Sequence, residues 1–204
     1  MTNSKNLLLI FTRNPELGKC KTRLAATIGD TNALEVYKFL LQHTASITHR
    51  LNVHKKVYYS ESIWENDVWD EKRYDKRAQQ GVNLGERMAR AFSEGFNNGF
   101  EKIVIIGSDM LDLSQSDIEN AFATLEENDF VIGPAEDGGY YLLGMKYFKP
   151  QLFKGKQWGK DTVFADSMAN LQSEKVSVLP IKNDIDVYED VKDIEAFQPF
   201  LKQQ

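Results

Sequence analysis

Arg13, Lys19, Lys21 and Arg23 crowd into one stretch, Thr12-Arg13-Asn14-Pro15-Glu16-Leu17-Gly18-Lys19-Cys20-Lys21-Thr22-Arg23-Leu24, which runs on from the apolar Leu7-Leu8-Leu9-Ile10-Phe11. Guanidinium and ammonium groups pair with phosphate oxygens through charged hydrogen bonds, so this group of cations matches a di- or triphosphate. Carboxylates recur at Asp109, at Glu136-Asp137 and at Asp184 with Asp186, each following an apolar, β-rich run. Mg²⁺ prefers one or two carboxylates plus substrate phosphates. Cations at one lip and carboxylates deeper in therefore describe a nucleotide diphosphate held through a divalent metal, which would act as a Lewis acid on the departing phosphate.

The spacing excludes two familiar phosphate loops. A Walker A loop needs a glycine five residues before its Gly-Lys pair, and Gly18-Lys19 has Arg13 there. No Gly-x-Gly-x-x-Gly opens a helix after any strand, so the dinucleotide fingerprint is missing as well.

For these groups to meet, the elements between them must alternate strand and helix. The sequence predicts strands at Leu7–Phe11, Val57–Ser60, Arg77–Gln80, Lys102–Ile106, Phe130–Ile132 and Val176–Ile181, with an apolar run at Tyr140–Met145. Helices are expected from about Thr22 to Ile28, ended by Gly29; from Thr31; after an Asn83 cap with Glu86 as its box partner; from a capping box at Ser116; after Trp158; and from Tyr188 to about Leu201. Asp137-Gly138 between two β-rich runs reads as a hairpin turn, so one strand should run against the rest. The expected architecture is one domain over 1–204: α/β, a mainly parallel sheet with helices on both faces and one antiparallel strand. In such a sheet the polar clusters after the strands share one crevice.

A formal net charge of -5 argues against a duplex nucleic-acid partner, which demands a basic face. A single cysteine, Cys20, excludes an internal disulfide framework and fits a reducing compartment. His43, His49 and His54 lack a recognised metal-pair spacing. The chain has neither a signal peptide pattern nor an apolar run long enough for a membrane span, so a soluble, cytoplasmic protein is expected.

Taken in order, the Thr12–Leu24 loop, Leu84-Gly85-Glu86-Arg87-Met88, Gly107-Ser108-Asp109, Gly133-Pro134-Ala135-Glu136-Asp137-Gly138-Gly139-Tyr140, Trp158 with Thr162, and Asp184-Ile185-Asp186 before Glu189-Asp190 resemble an uncharacterised glycosyltransferase-like family. That family, also described as radical-SAM/selenodomain-associated transferases, belongs to the GT-A, nucleotide-diphospho-sugar transferase superfamily. The resemblance spans almost the whole chain. It implies a three-layer α/β/α Rossmann-like sandwich and a nucleotide bound over Thr12, Arg13, Pro15, Gly18, Lys19, Lys21 and Arg23, with Gly85 and Arg87 beside it. It also implies Mg²⁺ or Mn²⁺ on Asp109 and Asp186, and Asp109 and Asp137 in the chemistry. Gly138, Gly139 and Trp158 would face an unknown small-molecule acceptor. Two positions depart from the pattern: the proline usual two residues after the central aspartate is Leu111, and the aspartate usual before the Leu-Gly-Glu-Arg run is Asn83.

The expected activity is transfer of a sugar from a nucleotide sugar. A nucleotidyltransferase that releases pyrophosphate from a nucleoside triphosphate is the alternative, and a non-catalytic nucleotide-binding protein a further one. An aspartyl-phosphate phosphatase fits poorly, because Asp184-x-Asp186 follows the last strand instead of the first. On sequence grounds Asp109→Ala is expected to abolish metal-dependent turnover with little loss of stability, since a crevice carboxylate has few packing partners. Turnover and unfolding of the variant check both halves.

Overall fold

The computed structural model describes residues 4–201. Seven strands, β1 (Asn6–Thr12), β2 (His54–Tyr59), β3 (Asp75–Ala78), β4 (Lys102–Ile106), β5 (Phe130–Pro134), β6 (Tyr140–Met145) and β7 (Val176–Val178), form one sheet in the order β3-β2-β1-β4-β6-β5-β7. β6 runs against both β4 and β5, and every other pairing is parallel. The carboxyl ends of β1, β4, β5 and β7 consequently lie along one edge. This is the expected mixed α/β sandwich, with a mainly parallel sheet and a single reversed strand.

Alternation along β1 divides the core. Leu8 and Ile10 pack on one face with Tyr37 and Leu41 of α2 (Asp30–His49) and Ile118 and Leu125 of α4 (Gln115–Glu127). Leu7 and Leu9 pack on the other with Met88 and Phe92 of α3 (Leu84–Asn97) and Phe153. All four β1 residues are fully buried, as expected for a central parallel strand covered on both faces. A third cluster joins Leu24 of α1 (Thr22–Ile28) and Val36 and Leu40 of α2 to Ile185, Val191 and Phe197, so the C-terminal segment closes over the first two helices.

Gly29, at φ +83°, ends α1 and begins α2 at once. Asn83 caps α3 by accepting from the Glu86 amide at 3.0 Å, but the Glu86 carboxylate takes the Val82 amide instead of closing the box. In α4 the capping box is built two residues earlier than predicted, by Ser114 with Asp117. The hairpin at Asp137-Gly138 is present, with Ala135 N–H donating to Gly139 O and Gly138 N–H to Ala135 O.

Two expectations near the C-terminus fail for identifiable reasons. β7 stops at Val178 because the next β5 residue in register with an amide facing it would be Pro134, which has none; pairing resumes one residue out of step, with Lys182 N–H on Pro134 O at 3.2 Å. The predicted helix from Tyr188 to Leu201 is instead a 3-10 turn at Tyr188–Asp190, another at Glu195–Phe197 and the four-residue α6 (Gln198–Leu201). Val191, Ile194 and Phe197 recur every third residue, the period of a 3-10 helix, and Ile194 N–H and Phe197 N–H each bond back three residues.

At Gly138 the chain has φ +84°, and a Cβ there would stand 2.2 Å from the Asp161 carbonyl oxygen. Gly138→Ala combines left-handed strain with overpacking against backbone and should cost roughly 2–4 kcal/mol. Urea unfolding reads this directly, and a midpoint equal to wild type at unchanged slope would contradict it.

Candidate active site

The loop after β1 is fastened from beneath. Asn14 is buried; its side-chain amide donates to Ser62 O at 2.7 Å and its Oδ1 accepts from the Glu61 amide at 3.1 Å. Cys20 is buried with its Sγ on Asn14 O at 3.1 Å, and burial pushes the thiol upward, so it is a structural residue of the loop. The Tyr37 hydroxyl, sent up from α2, accepts from the Arg13 amide at 2.9 Å and lies 3.2 Å from Thr12 Oγ1 and 3.3 Å from Ser108 Oγ. Ser108 Oγ also reaches Thr12 Oγ1 at 3.0 Å. One buried hydroxyl cluster thus locks the ends of β1 and β4 together.

Lys21 sits at the head of α1 with φ +49°, a conformation that costs a non-glycine residue energy. It aims the ammonium inward, where Nζ lies 2.9 Å from Asp109 Oδ2 with the lysine side chain 6% exposed. Burial alone would pull Lys21 down, but Asp109, then Asp186 and Asp184, outweigh it and hold the amine above its ordinary value. The same pairing holds Asp109 below the usual carboxylate range, against the opposing effect of burial. Further out, Arg23 Nη1 lies 2.7 Å from Asp186 Oδ2, and Lys19 pairs with Glu16 at 2.6 Å. Arg13 makes no ion pair among the described residues, and its guanidinium stays exposed above the loop.

Two cavities meet at Asp109. The larger, about 540 Å³, lies over the first loop and is lined by Thr12, Arg13, Lys19, Lys21, Arg23 and Arg87, with Asp186 at its rim. Arg87 is anchored by Nε to Gly81 O at 3.1 Å and Nη1 to Gln79 Oε1 at 3.2 Å. The smaller, about 290 Å³, lies under the hairpin and takes in Asp137, Gly139, Tyr140, Trp158 and Asp184. Four sequence-derived positions line neither. Pro15 faces a separate hollow beneath Trp64 and Trp69. Gly18 turns the loop at φ +73° next to Asp30. Gly85 is buried where a Cβ would meet Trp158 Nε1 at 2.5 Å, so it seats the tryptophan and makes no wall of the larger cavity. Gly138 packs on the Asp161 backbone.

Asp184 belongs to the site more intimately than its spacing suggested. Burial first, then the charge of Asp109, pushes its carboxyl up to about 6. Ile185 N–H donates to Asp109 O at 3.2 Å and stitches this loop to the end of β4. That bond and the burial of Met110 fix the turn that lacks the expected proline. Asp190 steadies the same loop by accepting from the Asp186 and Val187 amides at 2.8 and 2.7 Å. Among the described residues no group of three or more His, Cys, Asp or Glu is placed to hold a metal. The donor set is a pair of mutually repelling carboxylates, Asp109 and Asp184, beside a phosphate-sized cavity, which suits a divalent ion completed by phosphate oxygens. His43 is satisfied by Leu113 O at 2.9 Å and lies outside both cavities.

A carboxyl-edge crevice at a reordered α/β sheet, cationic on one side and acidic on the other, defines the class: the nucleotide-diphospho-sugar transferase fold. The chain belongs to the family described as "Uncharacterized protein conserved in bacteria (DUF2064)", whose model matches residues 41–160. A crystal structure from Desulfovibrio desulfuricans G20, provisionally described as a nucleotide-diphospho-sugar transferase, is 30% identical and superposes with a TM-score of 0.87, covering 95% of this chain and 90% of that one. CMP:2-keto-3-deoxy-manno-octonic acid synthetase complexed with CTP shares the fold at 9% identity and TM-score 0.60, covering 96% and 99%. A cytidylyltransferase from Leptospira borgpetersenii does so at 16% and 0.56, covering 92% and 84%. No curated protein matches the chain.

The buried ammonium overturns the expectation that Asp109→Ala is structurally benign. Removing the carboxylate strands Lys21, so the variant should lose roughly 2–3 kcal/mol, below the full cost for a buried pair because Asp109 is partly open to water. Chemical denaturation measures it, and an unchanged stability would restore the simpler view. Asp184 supplies a pH signature. Its folded-state pKa is raised, so the folded protein binds the proton more tightly and wild-type stability falls as pH climbs from about 4 to 6. Asp184→Asn should be the more stable protein at pH 7–8, with the gap closing towards pH 4. Melting curves across that range with a chelator present check the sign, and a gap that stays constant or widens on acidification would contradict it.

Proposed function

We propose that this protein is a metal-dependent transferase that passes a sugar from a nucleotide-activated donor to a small acceptor. The observation that carries the reading is the junction at Asp109, where a cation-lined cavity of diphosphate character opens into an acidic, aromatic one. The 30% identical structure from D. desulfuricans supports it through its provisional description as a nucleotide-diphospho-sugar transferase. The motif order supports the narrower radical-SAM/selenodomain-associated group.

On this reading the donor diphosphate lies over the first loop, where Arg13 is free to reach it and Lys21, Lys19 and Arg23 add charge. Mg²⁺ or Mn²⁺ would be held by Asp109 with Asp184 or Asp186, and when bound would neutralise charge on the phosphate oxygens. Asp137 already uses Oδ1 to accept from the Gly139 amide at 2.8 Å, which orients the carboxylate and leaves Oδ2 for an acceptor hydroxyl. The acceptor oxygen bonds to the anomeric carbon, the bond from that carbon to the phosphate oxygen breaks, Asp137 takes the proton, and the nucleoside diphosphate leaves. Lys21 moves from Asp109 towards the leaving phosphate as its charge grows.

A second reading, nucleotidyl transfer, is favoured by the number of cations along the loop, more than a diphosphate requires, and by the fold shared with a synthetase complexed with CTP. Incubation with nucleotide sugars and nucleoside triphosphates in Mg²⁺ or Mn²⁺ separates the two. The transferase reading expects metal-dependent nucleoside diphosphate release from a nucleotide sugar, lowered at least about 100-fold in Asp109→Asn, with Arg23→Ala acting mainly on KM. Pyrophosphate release from a triphosphate would replace it with the second reading.

A further inference from the structure

The smaller cavity is walled with more care than a surface hollow requires. Gly85 leaves room for Trp158 against α3, and Gly138 packs on the Asp161 backbone while its O accepts from Phe164 N–H at 2.9 Å, so the segment after Trp158 is clamped onto the hairpin. Trp158 then stands edge-on to Tyr140, with ring centroids 6.5 Å apart at 85°. Among the described residues the Tyr140 hydroxyl has a single partner, the Met88 thioether at 3.7 Å. Sulfur in a thioether is a weak acceptor, and a hydroxyl in an apolar wall is stabilised far more by an oxygen. Burial also pushes the Tyr140 phenol well above its ordinary value, so it remains a donor.

Charge sorts the occupant. Among the residues lining this cavity Lys160 is the one cation, against Asp137, Asp184 and an Asp109 already paired with Lys21, whereas the adjoining cavity gathers the basic side chains. A phosphate or carboxylate is drawn to the larger space and repelled from the smaller. The volume, about 290 Å³, suits a compact molecule.

We propose that the smaller cavity takes an uncharged, hydroxylated small molecule with an apolar face, which stacks against Trp158 and accepts a hydrogen bond from the Tyr140 hydroxyl. Calling that molecule the acceptor rests on the transferase reading; its chemical class rests on the cavity alone. Phenyl β-D-glucoside and phenyl β-D-glucuronide form a matched pair of probes differing by one carboxylate. Calorimetric titration of the wild-type protein should show the glucoside binding at least tenfold more tightly than the glucuronide. Tyr140→Phe, which keeps the ring and the packing, should weaken the glucoside about tenfold, and Trp158→Ala should weaken it further. Glucuronide binding as tight as glucoside binding, no binding of either probe, or a Tyr140→Phe affinity equal to wild type would each overturn the proposal. Separate titrations with nucleoside diphosphates read the larger cavity. Glucoside binding with no nucleotide binding would sink the donor reading and uphold this one, and the converse result would do the opposite.

Discussion

The contact between Lys21 and Asp109 is the constraint to which the crevice is fitted. A lysine side chain taken almost wholly out of water survives only beside compensating charge. Asp109 supplies it at 2.9 Å, with Asp186 and Asp184 reinforcing it. The cost extends to the backbone, because Lys21 accepts a left-handed conformation to aim inward. In return the pair joins the loop after β1 to the end of β4, and the hydroxyl cluster of Tyr37, Thr12 and Ser108 welds the same junction from below. Strain of this kind persists where surrounding structure over-determines it, which is the usual condition of a functional crevice.

Sheet topology makes the convergence possible. Parallel strands deliver the loops after β1, β4, β5 and β7 to one edge, and reversal of β6 lets a tight hairpin stand over that edge without a crossover helix. Phe11, Leu84, Gly107 and Asp109 line both halves of the crevice and mark the partition between them. Basic side chains lie on one side and carboxylates with aromatic rings on the other. A polar, phosphate-bearing molecule and a less polar one can therefore be held against a common point, as group transfer requires.

Much of this was legible in the sequence because the informative signals were local. Unbroken apolar runs such as Leu7–Phe11 and Ile103–Ile106 marked buried parallel strands, and the clusters behind them had to share an edge once the strands were parallel. Asp137-Gly138 announced the hairpin. What was not legible depended on tertiary distance. Gly85 belongs under Trp158, a residue far along the chain, and nothing in its own motif says so. Pro15 lies close to Lys21 in sequence yet lines a separate hollow with Trp64 and Trp69. Asp184 lines the smaller cavity and feels the charge of Asp109, while Asp186 lines the larger one and pairs with Arg23 at 2.7 Å, a division that the Asp-x-Asp spacing does not announce. Tyr37 looked like one more apolar position of an amphipathic helix, and its hydroxyl gave no sequence signal. The C-terminal segment read as an α-helix because three-residue spacing suits both helix types until the packing selects one.

The proposed function requires that a nucleotide diphosphate occupy the space between the first loop and Asp109. A crystal structure of the protein soaked with nucleoside diphosphates and Mg²⁺ tests it most directly. The diphosphate is expected over Thr12 to Arg23, with Lys21 Nζ turned from Asp109 onto a phosphate oxygen. A nucleotide bound away from that loop, or one bound there while Lys21 stays on Asp109 and touches no phosphate, would contradict it.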